Sequence, residues 1–332
     1  MSVRKRPEVE EVHVRTVPPR FEEGPVSREP VAVRRRDACV RRRRAVTISE
    51  ALNRLKKGGD VVSFVTHDSN GMIWYASDLL QNVPHGFSTR SGGVSGPPWD
   101  TLNLGPSRGD EHGRVAENYR RFCAAIGADA GRVVLAKQVH ETTVRTVTAA
   151  DAGMGLYRPR NYTADALITI EDNLPLVVFS ADCGIILLHD PVTGAIGAVH
   201  AGWRGCAAGI VQKAVRELCA LSGAEPERLR AAVGPCIGQC CFETDSDVPD
   251  AMRAALGERA EAHLRYDYGR NKWNVNLAGL VRESLLQAGL APQCVDVLGI
   301  CTACHPELFW SHRKMGDARG VQAAMITKAP AR

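Results

Sequence analysis

The sequence predicts a domain that combines buried β-strands with amphipathic helices packed against them, and three stretches carry that prediction. Between Leu174 and Gly205, LPLVVFSADC, IILLHDP and GAIGAVHAGWRG are short apolar runs, rich in β-branched residues and separated by polar breaks. They predict three buried strands. The stretch that follows, CAAGIVQKAVRELCALSG, places Ile210, Ala214 and Leu218 at spacings of four, with Val211 and Val215 beside them and Gly223 as C-cap. This pattern predicts a helix over 206–222 lying on the sheet. A third stretch, NVNLAGLVRESLLQAGL, sets Leu277, Leu280, Val281 and Leu285 on one face between an Asn276 N-cap and a Gly289 stop, which predicts a helix over 276–289. A further helix is expected over 114–127.

The chain has 332 residues, enough to bury a large core without disulfides. Hydrophobic residues make up 44% and charged residues 24%, and no apolar run reaches the roughly 18 residues that a membrane-spanning helix needs. No membrane partner is therefore expected. The first residues, MSVRKRPEVEEVHVR, are basic but lead into no apolar stretch, so they lack the layout of a secretory signal and the expected location is cytoplasmic. Eleven cysteines, an odd number in a long chain, are expected to be reduced thiols rather than a disulfide framework.

The net charge of +5 belongs to one segment: residues 1–44 carry 13 Lys/Arg against 7 Asp/Glu, leaving 29 against 30 for residues 45–332. Arg34 to Arg36 and Arg41 to Arg44 form two clusters with little apolar surface to bury, so residues 1–45 are expected to be a disordered Arg-rich extension. Such a tail is a solvated extension by default and is able to make weak nucleic-acid contacts through phosphates. Residues 46–71 are expected as a connector helix and strand, with Leu52 and Leu55 on one face of the helix and Gly58-Gly59 ending it. Residues 72–328 are expected to form one folded domain.

Three polar residues able to bind a metal are expected at the ends of apolar strands. His140 closes VVLAKQVH, Cys183 closes the first of the three runs above, and His200 the third. Whether these ends meet on one sheet edge depends on the connections, which spacing leaves open.

A series of motifs adds to this pattern: PHGFSTRSGGVSG at 84–96, LNLG at 102–105, GD then VAENYRRF at 109–122, and KQVH at 137–140. It continues with ADALIT at 164–169, ADC at 181–183, DP at 190–191, HAGWRG at 200–205, VGPCIGQCCFE at 233–243 and FWSHRK at 309–314. With these motifs, from Ala76 to Ile326, the chain resembles the multicopper polyphenol oxidase or laccase-domain family, whose members resemble purine nucleoside phosphorylases with adenosine deaminase activity. The resemblance implies an α+β fold, with mixed β-sheets packed between helices in a layered α/β/β/α sandwich. It also implies one zinc ion, held by the histidine of QVH, the cysteine of ADC and the histidine of HAGW. In this sequence those residues are His140, Cys183 and His200.

Two imidazoles and a thiolate leave a fourth tetrahedral position open, the mark of a catalytic rather than a structural zinc. Zinc lowers the pKa of bound water toward about 7, enough to supply hydroxide for attack on C6 of adenosine. Asp182, beside the thiolate, is the candidate for proton transfer or for holding the purine. Phosphorolysis needs an anion site as well. Arg90, among Gly92, Gly93 and Gly96, is the first candidate and Arg204 the second, while Asn103 is a candidate for the sugar hydroxyls. Either arginine can equally brace a loop by bonding carbonyls, and Asp182 can equally cap backbone. His85 and Trp203 are expected to pack, and His189 to lie in a turn. The expected partners are purine nucleosides and phosphate, and the expected assembly is a monomer or homodimer.

Cys236, Cys240 and Cys241, with Cys301, Cys304 and His305, form CxxxCC and CxxCH patterns that would make a structural zinc site if the two segments met. Because the family's motifs carry no second metal there, reduced thiols are the expectation. Two alternatives to a purine enzyme stand. A copper-dependent polyphenol oxidase fits a His₂Cys set, but it needs a further histidine-rich cluster, and the ten histidines are scattered without HxH pairs. A nucleic-acid or partner-binding protein would act through the basic tail. The sequence departs from the family pattern at Gly184-Ile185, where a proline usually follows ADC, and at Glu141, where a glycine usually follows QVH. Neither departure removes a ligand, and both bear on substrate preference.

Overall fold

The structure, a computed structural model, describes residues 64–329. The Arg-rich extension expected over 1–45 and the helix expected after Thr47 lie outside those residues. Among the described residues, two six-stranded sheets lie face to face. In spatial order the first contains β1 (Phe64–Ser69), β2 (Met72–Ser77), β3 (His85–Ser88), β15 (Gln322–Ile326), β7 (Leu176–Ser180) and β4 (Val134–Leu135). The second contains β14 (Val295–Val297), β10 (Arg230–Val233), β8 (Gly184–His189), β9 (Ile196–Ala201), β6 (Ala166–Thr169) and β5 (Val144–Thr146). A small third sheet joins β11 (Glu243–Thr244), β13 (Lys272–Val275) and β12 (Leu264–Asp267).

Helix α1 (His112–Ile126) covers the outer face of the first sheet, its Val115, Tyr119 and Phe122 packing with Trp74, Val177 and Met325. Helices α2 (Trp203–Ala207), α3 (Ile210–Ser222), α4 (Asp247–Leu256) and α5 (Leu277–Gln287) cover the outer face of the second sheet. A one-turn helix, α6 (His312–Met315), follows later in the chain. The layers therefore run α/β/β/α, as expected. Among the described residues no helix is long and apolar enough to cross a membrane.

The near-continuous apolar runs follow from this layering, because a strand between two cores has no wet face. In β8, Ile185 and Leu187 face the core between the sheets with Phe87, Val178 and Ala324, whereas Ile186 and Leu188 face the core beneath α3 and α5. With a side-chain period of two, one register slip would exchange these faces. The observed register pairs Ile185 with His200 across β8 and β9, and Ala166 with Val199 across β6 and β9.

Local signals set most boundaries, with some differences. Helix α5 starts at an Asn276 cap whose side chain accepts the Gly279 N–H. The helix expected over 206–222 is two helices, broken where Gly209 takes a left-handed φ of 83°. The first sheet begins at Phe64, inside the segment expected as a connector, because β1 pairs with β2 along its whole length. The VVLAKQVH run forms a strand only at Val134–Leu135. His189 ends β8 rather than lying in the turn.

His189 is buried, and its Nδ1 has no hydrogen-bond partner among the described residues. Burial, reinforced by the nearby Arg230 charge, lowers its pKa to about 4. In an unfolded chain a histidine takes up its proton near pH 6.5. Between about 6.5 and 4 the unfolded state therefore binds a proton that the folded state refuses. This part of the stability is complete above pH 6.5 and declines as the pH falls through that window. Chemical denaturation at pH 7 and pH 4.5 checks the sign: the unsubstituted chain loses stability on acidification, and His189→Gln loses less.

Candidate active site

The register of β6, β8 and β9 brings together three residues that the sequence placed in equivalent strand-end settings, but their settings differ. His200 lies inside β9, and Cys183 sits in the β7–β8 connection immediately before Gly184. His140 lies in the loop after β4 with a left-handed φ of 63°. One ligand atom from each of the three lies within 4.8 Å of the others. The imidazole rings of His140 and His200 meet edge to face, with centroids 4.9 Å apart.

Asp165, fully buried just before β6, gathers them. Its Oδ1 accepts the His140 N–H at 3.0 Å and the Nδ1–H of His200 at 2.8 Å. Its Oδ2 accepts the N–H groups of Val139 at 3.1 Å and Glu141 at 3.0 Å. Three successive backbone donors converging on one carboxylate hold His140 in a conformation that few non-glycine residues adopt. The bond to Nδ1 fixes the tautomer and orientation of His200 and leaves Nε2 for a metal. Burial opposes the Asp165 charge, but the bonds from His200, Glu141 and Val139 outweigh it and keep the carboxyl below its ordinary pKa.

Burial also opposes charge on Cys183 and His200. Their mutual attraction wins: His200 and His140 bring the Cys183 thiol down to about 6, while Cys183 and Asp165 bring His200 up to about 9. Both shifts favour the charged forms, and a cation held there would compete with the His200 proton, so its affinity would rise with pH. Space around the ligands is closely fitted. A Cβ at Gly202 would lie 3.1 Å from both Cys183 Sγ and His140 Cδ2.

His140 and Cys183 line a cavity of about 370 Å³, within the roughly 300–1,000 Å³ of small-molecule sites. Asp182, Trp203, Phe242, Arg313 and Arg319 share its walls. Asp182 Oδ1 accepts the Thr302 hydroxyl at 2.6 Å, and its Oδ2 accepts the Arg313 N–H at 2.7 Å. It therefore caps backbone while facing the cavity. Arg319 is 9% exposed, and its Nε has no hydrogen-bond partner among the described residues. Burial lowers its pKa below the ordinary arginine value.

The anion-site candidates named from the sequence are not in these walls. Arg90 spends its guanidinium on the carbonyls of Asp100 and Pro306 and stacks on Trp310, 3.9 Å from the ring centroid. Asn103 is fully buried; it accepts the Gly105 and Val321 N–H groups and donates to Asp110, which leaves it a loop staple rather than a sugar ligand. Arg204 is exposed and stacks on Trp203, 4.3 Å from the ring centroid. His85 accepts the Ser77 N–H and bonds the Val83 carbonyl, a packing role as expected. Sequence reasoning missed Asp165, Arg313, Phe242 and Arg319. The first three stand inside ADALIT, FWSHRK and VGPCIGQCCFE, whereas Arg319 stands in none of the motifs.

Residues 84–329 match a family model described as multi-copper polyphenol oxidoreductase laccase. The chain belongs to this family. It is 33% identical over 274 residues to the purine nucleoside phosphorylase YlmD of Bacillus subtilis, covering 79% of this chain and 95% of that protein. It is 38% identical over 246 residues to a purine nucleoside phosphorylase of Deinococcus radiodurans, covering 74% of this chain and 88% of that one. The crystal structure of YlmD from Geobacillus stearothermophilus superposes with a TM-score of 0.76 at 30% identity, covering 81% of this chain and 100% of that chain.

In this member of the laccase family, Asp165→Asn removes the negative charge and puts an NH₂ group in place of one of the two oxygens that share four donors. Binding of zinc or cobalt at the His140, Cys183 and His200 centre is expected to weaken by about 10–100-fold. Competition against a chelator measures the affinity, and thermal unfolding measured alongside separates loss of the centre from loss of the fold.

Proposed function

We propose that this chain is a purine nucleoside phosphorylase, converting adenosine and inosine to base and ribose 1-phosphate, and 5′-methylthioadenosine to adenine and 5-methylthioribose 1-phosphate, with adenosine deaminase activity at a zinc centre of His140, Cys183 and His200. The observation that carries this reading is a three-ligand set of which His140 and Cys183 line a small-molecule cavity, whose walls also include a buried guanidinium with an unpartnered Nε. The relatives named purine nucleoside phosphorylase support it.

The donor set suits zinc, since imidazole and thiolate are its preferred ligands, and three of them leave one position for water or substrate. When bound, zinc supplies a Lewis acid and a water whose pKa is near about 7. The chain's own residues do the rest. Asp165 aims His140 and His200 inward. Phe242 and Trp203 present aromatic faces against which a purine stacks. Asp182 accepts hydrogen bonds from the base and, through its bond to the Arg313 N–H, holds the start of α6 against the cavity. Arg319, with its unpartnered Nε, binds phosphate, which attacks C1′ of the ribose as the purine leaves, and Arg313, whose Nη1 is held by the Cys241 and Glu243 carbonyls, adds positive charge beside it. Their charge is permanent, and a partly dry cavity strengthens it.

Copper in an oxidase is the weaker reading. Among the described residues the other group of metal-capable side chains is all cysteine, so the histidine-rich cluster of a multicopper oxidase has no counterpart there.

Purified protein incubated with adenosine, inosine and 5′-methylthioadenosine, with and without phosphate, tests the proposal. Free base is expected only with phosphate, together with ribose 1-phosphate or, from 5′-methylthioadenosine, 5-methylthioribose 1-phosphate, and inosine from adenosine without it. Cys183→Ala is expected to lower both activities by more than about 100-fold, beyond the effect of disturbing a ligand's supporting residue. Arg319→Met is expected to raise the KM for phosphate by about tenfold or more, the worth of one charge-assisted hydrogen bond, while deamination stays near its original rate. Unsubstituted protein that does neither reaction, and is indistinguishable from Cys183→Ala, overturns the proposal. An intense thiolate-to-copper absorption in the protein as purified overturns the choice of zinc.

A further inference from the structure

A second convergence of sulfur lies apart from the His140, Cys183 and His200 centre. The Sγ atoms of Cys240, Cys241, Cys301 and Cys304 all lie within 4.8 Å of one another. They come from two segments far apart in the chain, and the topology explains their meeting. Strands β10 and β14 run parallel and hydrogen-bonded, and beyond their ends the pairing continues as a bridge between Cys236 and Cys301. The Thr302 N–H bonds the Cys236 carbonyl at 3.1 Å. The Cys240-Cys241 pair thus lies opposite the Cys301-x-x-Cys304 turn. From sequence the two segments were not expected to build a metal site, because the family's motifs carry no second metal there, and nothing in the sequence says that β10 and β14 are neighbours.

The geometry selects among the possible uses of four cysteines. Cys304 Sγ lies 3.3 Å from Cys240 Sγ and 3.4 Å from Cys241 Sγ, well beyond the roughly 2.05 Å of a disulfide bond. A zinc ion with Zn–S bonds of about 2.3 Å places tetrahedral sulfurs about 3.8 Å apart, the scale observed here. An iron–sulfur cube would need its cysteines further apart. Cys301 Sγ also accepts the Gly238 N–H at 3.2 Å, along with the N–H groups of Ala303 and Cys304. Several backbone donors on one sulfur favour a thiolate over a thiol. Neighbouring candidates have other partners: His305 bonds Glu307, and the buried Cys236 sulfur bonds the Ile237 carbonyl. Cys240 is exposed, which gives an ion a way in.

We propose that Cys240, Cys241, Cys301 and Cys304 form a closed tetrahedral site for a second zinc ion. With four protein ligands it has no position for substrate, so its role is structural. One of the segments it joins is a wall of the cavity, and the other is bonded to a wall residue. One carries Ile237 and Phe242, and the other carries Thr302, which bonds Asp182. Arg313 reinforces the junction, its guanidinium donating to the carbonyls of Cys241 at 3.3 Å and Glu243 at 3.0 Å. The ion would fasten that wall in place. The inference does not depend on what the cavity binds.

Metal analysis and cobalt titration of the full chain, kept reduced, test it. Cys183→Ala removes a ligand of the first centre, and this variant is expected to retain one zinc per chain. Stripped of metal and titrated with Co²⁺, it is expected to saturate at one equivalent with intense sulfur-to-cobalt charge-transfer bands and tetrahedral d–d absorption. The further substitutions Cys240→Ser and Cys304→Ser are expected to abolish both signals. Because those variants can fail to fold, alkylation of the unsubstituted chain followed by peptide mass spectrometry provides a separate readout. Zinc is expected to protect all four cysteines, and a chelator to expose them together. A Cys183→Ala chain with no zinc and no cobalt–thiolate band overturns the proposal. So do alkylation that is indifferent to zinc, iron in place of zinc, and a disulfide within the set.

Discussion

The Asp165 carboxylate is the constraint on which the rest of the site depends. A charge removed from water costs several kcal/mol unless every lone pair finds a donor, and here four donors are supplied. Three are consecutive backbone N–H groups of the loop that carries His140, and the fourth is the ring of His200. The bond that stabilises the buried charge also orients two metal-capable imidazoles toward one thiolate. It works only because β6 and β9 pair in one register, with the His200 N–H donating to the Asp165 carbonyl at 2.7 Å. A slip by one residue would turn His200 to the opposite face of the sheet and leave the carboxylate stranded.

The layered architecture places such bonds at the ends of strands, where connections cross from one element to the next. Asp182 shows how closely those connections are tied. Its carbonyl accepts the Ile237 N–H, and its carboxylate accepts the Thr302 hydroxyl and the Arg313 N–H. The β7–β8 connection that carries Cys183 is thus bonded to both segments of the four-cysteine cluster and to α6. The two groups of metal-capable residues share one polar scaffold, although no residue belongs to both.

Much of the fold was legible because its physics is local. Runs buried on both faces stand out as apolar and β-branched, and helix ends carry their own signals, as Asn276, Gly127 and Gly223 do. The metal-capable triad was legible as polar residues closing apolar runs and as motifs, but not as a geometry. Nothing in VVLAKQVH shows that the strand stops at Leu135 or that His140 needs a left-handed backbone, because the cause lies in Asp165. The arginines illustrate the limit most clearly. Arg90 and Arg204 read as anion ligands by charge and by company, yet a guanidinium's function is set by the carbonyls and rings that reach it first, and those come from distant parts of the chain. Arg319 carried no signal, since what distinguishes it is burial with an unpartnered Nε. The four cysteines were visible, but their meeting required the parallel pairing of β10 with β14.

Anomalous diffraction at the zinc absorption edge, from crystals of the protein as purified, tests the central claim most directly. The account predicts a peak bonded to Cys183 Sγ, His140 and the Nε2 of His200, with Nδ1 of His200 still on Asp165. Ordered side chains at those positions with no anomalous peak, or an ion reached through Nδ1 with Asp165 turned away, would contradict it.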